Sequence, residues 1–264
     1  MKRYDFQLEN NDNNSGWYYL PDQYETPMPV MVHCHGWGGS RAISDSVRPL
    51  RKAVLAQKMA FVTFDFYSCG IMKDKEFTTY ERWVQNLSDM FDWLEEQEWA
   101  DKDKIGCFAH SSGTIAALRF AARDKRPAFV ISAASCITPQ IDMERGGAGK
   151  VLAQHCETLL RGGSADMFGQ QFPLPFFQDT IAHAPMFYLN QITCPVFFLQ
   201  GGNDNPYRRA DAFLGHLLME HAGLQNKYLE LPGGDHCLNG VEKQYCPEVI
   251  HWLNEIQILF SDVK

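Results

Sequence analysis

The stretch "KIGCFAHSSGTIAALRFAAR", residues 104–123, decides how this chain folds. It opens with a dense apolar run ending at His110 and continues as an alanine-rich segment with helical spacing. An apolar run without polar alternation suits a strand buried on both faces, and the segment behind it suits a helix. A strand that turns at once into a helix leaves a crowded, strained bend between them. Crowding demands small side chains two positions before and two after the residue at the tip. Ser111 has Ala109 and Gly113 there; Ser112 would have His110 and Thr114, and a ring would collide with the helix start. Ser111 is therefore the candidate nucleophile. Ser112, at the helix N-terminus, would offer its backbone N–H to a developing oxyanion. The plainer alternative is an ordinary helix cap, a position serine favours.

The same alternation extends along the chain. "VMVHCHG", "FVTFDF", "FVISAAS", "PVFFLQGG" and "KYLELPGG" are further apolar runs bounded by turn residues. Helical stripes run from about Asp45 to Met59, Thr78 to Trp99, Arg208 to His221 and Pro247 to Phe260, and Thr78 with Glu81 has capping-box spacing. Strands alternating with helices predict an α/β fold, a mostly parallel, doubly wound sheet of about eight strands with helices on both faces. At the start, "RYDFQL" and "GWYYLP" flank the turn-rich "ENNDNNS", which predicts a β-hairpin and an antiparallel edge. From Ile137 to Ile192 the rhythm breaks: glycine and proline are dense and no strand pattern is evident. An irregular insertion of that length is expected to be a lid, because "MFGQQFPLPFF" is too aromatic to remain in water as a linker.

At 264 residues and 45% hydrophobic, the chain is read as a single domain, 1–264, with 137–192 as a lid within it. A net charge of −8 at pH 7 argues against a nucleic-acid partner, which needs a basic face. "MKRYDFQLEN" lacks the apolar run of a secretory signal and no stretch could span a bilayer, so a cytoplasmic location is expected. The eight cysteines lack paired spacing and are read as free, mostly buried thiols. The oligomeric state is left open, a homodimer included.

Other residues join Ser111. "VMVHCHGWGGS" is a strand ending in a glycine-rich loop, where the Trp37 N–H would be a second oxyanion donor. His33 and His35 form an H-x-H pair, but no third ligand lies nearby, so no metal is expected. Asp204, in "PVFFLQGGNDNPY", follows an apolar strand at the end where ligands of open α/β sheets gather; Asp211, on a helical pattern, is expected to be solvated. His236 follows the next strand in "YLELPGGDHCL", on a loop able to carry an imidazole back across the sheet, while its neighbour Asp235 is poorly placed to act as the acid. Phe172, Phe176 and Phe177 either line an aromatic pocket under the lid or anchor it to the core. "GGAGK" at 146–150 is no phosphate loop: Glu144 and Val151 occupy key positions and no strand precedes it. Cys69, in the "YSCG" loop, is read as passive.

With Ser111, Asp204 and His236 in this order, the sequence resembles the α/β-hydrolase superfamily over nearly its whole length. The short lid and the "GGDHCL" ending resemble small bacterial carboxylesterases of the cinnamoyl and feruloyl type. Two positions depart from the usual pattern: Ala109 replaces the first glycine of the serine motif, and Gln200-Gly201 stands where histidine-glycine is common. The resemblance implies ester hydrolysis through an acyl-enzyme: His236 takes the Ser111 proton, Asp204 orients His236, and the amides of Trp37 and Ser112 hold the oxyanion, without a cofactor. The expected partner is a small-molecule ester. The competing readings are a serine peptidase of the oligopeptidase type and a non-catalytic small-molecule binding protein on the same fold.

Overall fold

The computed structural model describes residues 1–24, 26–70, 79–139, 148–167 and 170–259. Strands β1 (Lys2–Gln7) and β2 (Ser15–Leu20) form the expected hairpin across the 9–14 turn. The apolar runs become β3 (Met28–Cys34), β4 (Ala60–Phe64), β5 (Ala100–His110) and β6 (Val130–Ala133). After an insertion that carries a small hairpin of its own, β7 (Ser164–Met167) and β8 (Gln170–Pro173), the main sheet resumes with β9 (Val196–Gly201) and β10 (Asn226–Leu231). The eight-stranded order is β1-β2-β4-β3-β5-β6-β9-β10. Every pairing from β4 to β10 is parallel, and β2 runs antiparallel to both of its neighbours.

Each central strand divides its side chains between two cores, which is why its sequence shows no polar alternation. In β3, Val30, Val32 and Cys34 enter one core and Met31 the other; in β9, Phe198 opposes Phe197 and Leu199. Burying each such side chain contributes about 1.5–3 kcal/mol. The first core is covered by α2 (Tyr80–Glu95) and α3 (Gly113–Arg123), the second by α1 (Val47–Ala56) and α7 (Glu242–Glu255). Helix α6 (Pro206–His221) links β9 to β10.

Helix boundaries differ from expectation at two places. Thr79 holds the N-cap of α2 without a side-chain capping bond, and Thr78 lies outside the described residues. Helix α7 begins at Glu242, and Pro247 lies inside it. Proline favours a first turn, so the sequence suggested a start there; burial of Tyr245 and Cys246 extends the helix backwards.

The insertion between β6 and β9 is more regular than its composition suggested. Helix α4 (Ala148–Leu160) leads into the β7–β8 hairpin, then into α5 (Leu174–Ala182) and two 3₁₀ turns. Four-residue strands are too short to show periodicity, which hid them in the sequence. Lys150 of the rejected phosphate-loop motif sits in α4, while 146 and 147 lie outside the described residues. An ion cluster ties the insertion down. Asp179 of α5 accepts hydrogen bonds from both Nη atoms of fully buried Arg119 (3.0 and 2.8 Å) and from the Tyr80 N–H (2.9 Å), and Glu81 bridges Arg119 to Arg123.

Candidate active site

Ser111 opens the two-residue bend, Ser111-Ser112, between β5 and α3, with φ at 52°. For a residue other than glycine that conformation costs about 1–3 kcal/mol, so the surroundings must enforce it. They do so from three sides. The Ser111 N–H donates to the Ala133 carbonyl of β6 at 2.9 Å, and its own carbonyl accepts from the Thr114 hydroxyl at 2.6 Å. A Cβ at position 113 would lie 2.4 Å from the Cys34 carbonyl, so only glycine lets α3 start this close to the end of β3. Across the bend, a Cβ at Gly36 would lie 3.0 Å from that of Ser111.

The three side chains selected from sequence form one chain of hydrogen bonds. His236 Nε2 lies 2.9 Å from Ser111 Oγ, and Nδ1 lies 2.8 Å from Asp204 Oδ2. The carboxylate can only accept, so the proton on His236 sits on Nδ1 and Nε2 faces the serine hydroxyl as an acceptor. Burial acts to raise the pKa of Asp204, but hydrogen bonds from His236, from Gln200 Nε2 (2.9 Å) and from the Asn205 N–H (2.7 Å) outweigh it and hold the carboxyl below its ordinary value. Asp235 is engaged within its own loop, accepting from the N–H groups of Cys237 and Asn239.

Trp37 and Ser112 border the same cavity as Ser111. The Ser112 N–H belongs to the first turn of α3, where backbone donors lack a partner within the helix. The Ser112 hydroxyl bonds to Tyr80, whose phenol burial keeps well above its ordinary pKa despite that bond. The Trp37 ring packs on Trp83 and on Phe172 of the insertion, centroids 6.2 and 5.0 Å apart. Phe172, Phe176 and Phe177 are fully buried in the first core, and none of them borders the cavity around Ser111. That cavity measures about 510 Å³.

The H-x-H pair is engaged by protein groups. His35 Nε2 accepts from the Phe66 N–H at 3.1 Å, so Nδ1 carries the proton and donates to the Gly36 carbonyl at 2.8 Å. Burial depresses the pKa of both His33 and His35. Among the described residues no group of three or more His, Cys, Asp or Glu side chains could hold a metal. Cys69 is buried, which pushes its thiol up to about 12, and all eight cysteines are free.

Three features escaped the sequence reading. His110, considered only as an obstacle, donates from Nε2 to the carbonyl of His236 at 2.8 Å and so holds the backbone of the loop that carries that imidazole. Burial and the neighbouring His236 lower the pKa of His110 to about 4, which keeps it neutral. Gln200, noticed only as a departure from pattern, donates to Asp204. Asp211 is a correction: rather than solvated, it is buried, accepting from the N–H groups of Ile137 (2.6 Å) and Thr138 (3.0 Å) and from the Thr138 hydroxyl (2.6 Å). Chain leaving β6 has backbone donors to satisfy, and the carboxylate supplies the acceptors. Burial raises its pKa above the ordinary value.

A mostly parallel eight-stranded sheet with a serine on a strained bend after β5, an acid after β9 and a histidine after β10 defines an α/β-hydrolase architecture. The chain belongs to the alpha/beta hydrolase family, whose model matches residues 30–244. No curated protein matches it by sequence. Among solved structures it is similar to Est1E from Butyrivibrio proteoclasticus, with 17% identity, a TM-score of 0.77, and 96% of this chain and 98% of that one covered. It is also similar to the esterase domain of a Rhodothermus marinus protein, with 18% identity, a TM-score of 0.65, and coverage of 97% and 99%. A third likeness is to Pyrococcus horikoshii acylaminoacyl peptidase, with 13% identity, a TM-score of 0.74, and all of this chain but 42% of that one covered. Among the described residues no helix is long and apolar enough to cross a membrane.

Proposed function

We propose that this chain is a serine-dependent hydrolase of carboxylic esters with small to medium acyl groups, aromatic ones included, acting through an acyl-enzyme. The observation that carries the reading is the unbroken chain from Asp204 through His236 to Ser111, at 2.8 and 2.9 Å, ending on the strained bend. Ser111 Oγ attacks the ester carbonyl as its proton passes to His236 Nε2, while Asp204 stabilises the imidazolium and fixes its orientation. The amides of Trp37 and Ser112 hold the oxyanion, each worth about a hundredfold to a thousandfold in rate. His236 then gives its proton to the departing alcohol, and water repeats the cycle to release the acid. The insertion, docked on Trp37 through Phe172, serves as the lid. Structures of Est1E include one with ferulic acid bound, which supports including aromatic acids in the substrate range. Eight free thiols fit a reducing compartment, and we place the enzyme in the cytoplasm.

The peptidase reading is weaker because no carboxylate borders the described wall of the cavity to hold a peptide amine. A rapid-mixing assay with p-nitrophenyl acetate tests the proposal. One equivalent of p-nitrophenolate released in a burst, with aminoacyl anilides left intact, is expected; binding without turnover would reject it.

A further inference from the structure

One part of the wall of the cavity around Ser111, here called its arm, consists of residues that the hydrolytic reading leaves unused: His33 of β3, Ser44 and Ser46 just before α1, and Leu238 and Tyr245 after His236. His33 is the unexpected member, an imidazole only 4% exposed. Its faces are covered by Phe61 of β4 and Phe108 of β5, both stacked with centroids 6.1 Å away. His33 lines the cavity, and with its two faces against Phe61 and Phe108 and its Nδ1 engaged by Thr63, we infer that the edge it offers there is the one that carries Nε2.

The protonation pattern of that edge follows from its surroundings. His33 Nδ1 lies 3.2 Å from Thr63 Oγ1, and the Thr63 hydroxyl donates to the Arg41 carbonyl, also at 3.2 Å. A hydroxyl has one proton, so both bonds exist together only if His33 Nδ1–H is the donor to Thr63. Nε2 is then a bare acceptor, and it has no hydrogen-bond partner among the described residues. Burial, with His35 and His110 nearby, keeps the ring neutral. An acceptor that lines a cavity favours a ligand that brings a donor over one that displaces water from it and supplies none.

The position of the arm decides which part of the substrate enters it. His236 must protonate the departing oxygen, so the alcohol lies on its side of the scissile bond. The arm is walled by Cys237 and Leu238, immediately after His236, and by Tyr245 of α7, whose hydroxyl donates to the Ser46 carbonyl at 2.5 Å. Ser44 and Ser46 share a hydrogen bond at 2.9 Å and add hydroxyl groups to the same wall. Given the esterase reading, on which this inference rests, we propose that the arm is an alcohol subsite in which His33 Nε2 accepts a hydrogen bond from a second hydroxyl of the leaving group. The preferred substrates are then carboxylic esters of diols and polyols, and His33 is a specificity-determining residue that takes no part in the bond-making steps.

The test compares kcat/KM for glyceryl 1-monoacetate and propyl acetate, each divided by its rate with hydroxide ion, with p-nitrophenyl acetate run alongside. The wild type is expected to favour the glyceryl ester by at least about fivefold, the scale of leaving one buried acceptor unpaired. His33→Phe, which keeps a flat ring between Phe61 and Phe108, should bring the ratio close to one, and His33→Gln, which retains an acceptor, should keep most of it. Damage to folding would lower both rates and leave the ratio unchanged. A wild-type ratio of one overturns the subsite, as does a preference that survives His33→Phe. Absence of any hydrolysis, p-nitrophenyl acetate included, defeats the esterase reading itself and the substrate class with it.

Discussion

The serine bend leads into α3, and the described part of the insertion, 148–167 and 170–192, packs against that helix; the two are held in place by different means. At the serine bend the constraint is backbone against backbone: Gly113 against the Cys34 carbonyl, the Ser111 N–H on Ala133, and a φ of 52° that neighbouring strands enforce. At the insertion the constraint comes from side chains far apart in sequence: Asp179 on Arg119, sixty positions away, and Phe172 on Trp37. A bend fixed by local sterics tolerates almost no change in residue size, whereas a segment fixed by distant partners tolerates change when the partners change together.

Acid separates the two regions most strongly. The ordinary histidine pKa is 6.5, yet burial depresses His33 and His35 and takes His110 to about 4, all three at the ends of β3 and β5. Below pH 6.5 the unfolded chain takes up protons that the folded one resists. The contribution of these imidazoles to stability is therefore fully present above pH 6.5 and is lost as pH falls, at up to about 1.4 kcal/mol per pH unit from His110 as pH drops towards 4, with His33 and His35 steepening the fall in the same direction. Urea midpoints at pH 7, 6, 5 and 4.5 should show this slope; a flat profile would mean that the imidazoles are charged in the folded chain.

Arg119→Met should be the next largest effect. It strands Asp179 as a buried, unpaired charge and should cost about 3–5 kcal/mol. The double change Arg119→Met with Asp179→Leu should recover most of that in urea unfolding, because both charges leave together. At the bend no second change compensates: Gly113→Ala should cost about 3 kcal/mol and take activity with it, since the added Cβ meets backbone. His110→Phe should be milder in stability and visible in turnover. Without the Nε2–H on the His236 carbonyl, kcat should fall by about tenfold with KM little changed, and His110→Gln, which still has a donor, should recover part of the loss.

The same division explains what could be read from the sequence. The sheet was legible because strands buried on both faces leave unbroken apolar runs, and the choice between Ser111 and Ser112 followed from side-chain size alone. Ser111, Asp204 and His236 could be singled out because each lies within five residues after the end of a strand, among turn residues. The insertion was legible as a break in the rhythm but its internal structure was not, since its two strands of four residues carry no period and its anchors lie on other elements. Asp211 was misread for a related reason. Nothing in a helical pattern shows that the chain leaving β6 will bring its N–H groups to that carboxylate. His110 and Gln200 act through a backbone carbonyl and a carboxylate that only folding brings near them, and no spacing announces it.

Reaction with a fluorophosphonate, followed by peptide mapping of the adduct, bears most directly on the claim that the bend at Ser111 presents an activated hydroxyl. One adduct per chain, located on Ser111, lost in Ser111→Ala and slowed at least about a thousandfold in His236→Ala, is the predicted result. An adduct on Ser112, or labelling that ignores the loss of His236, would contradict the account.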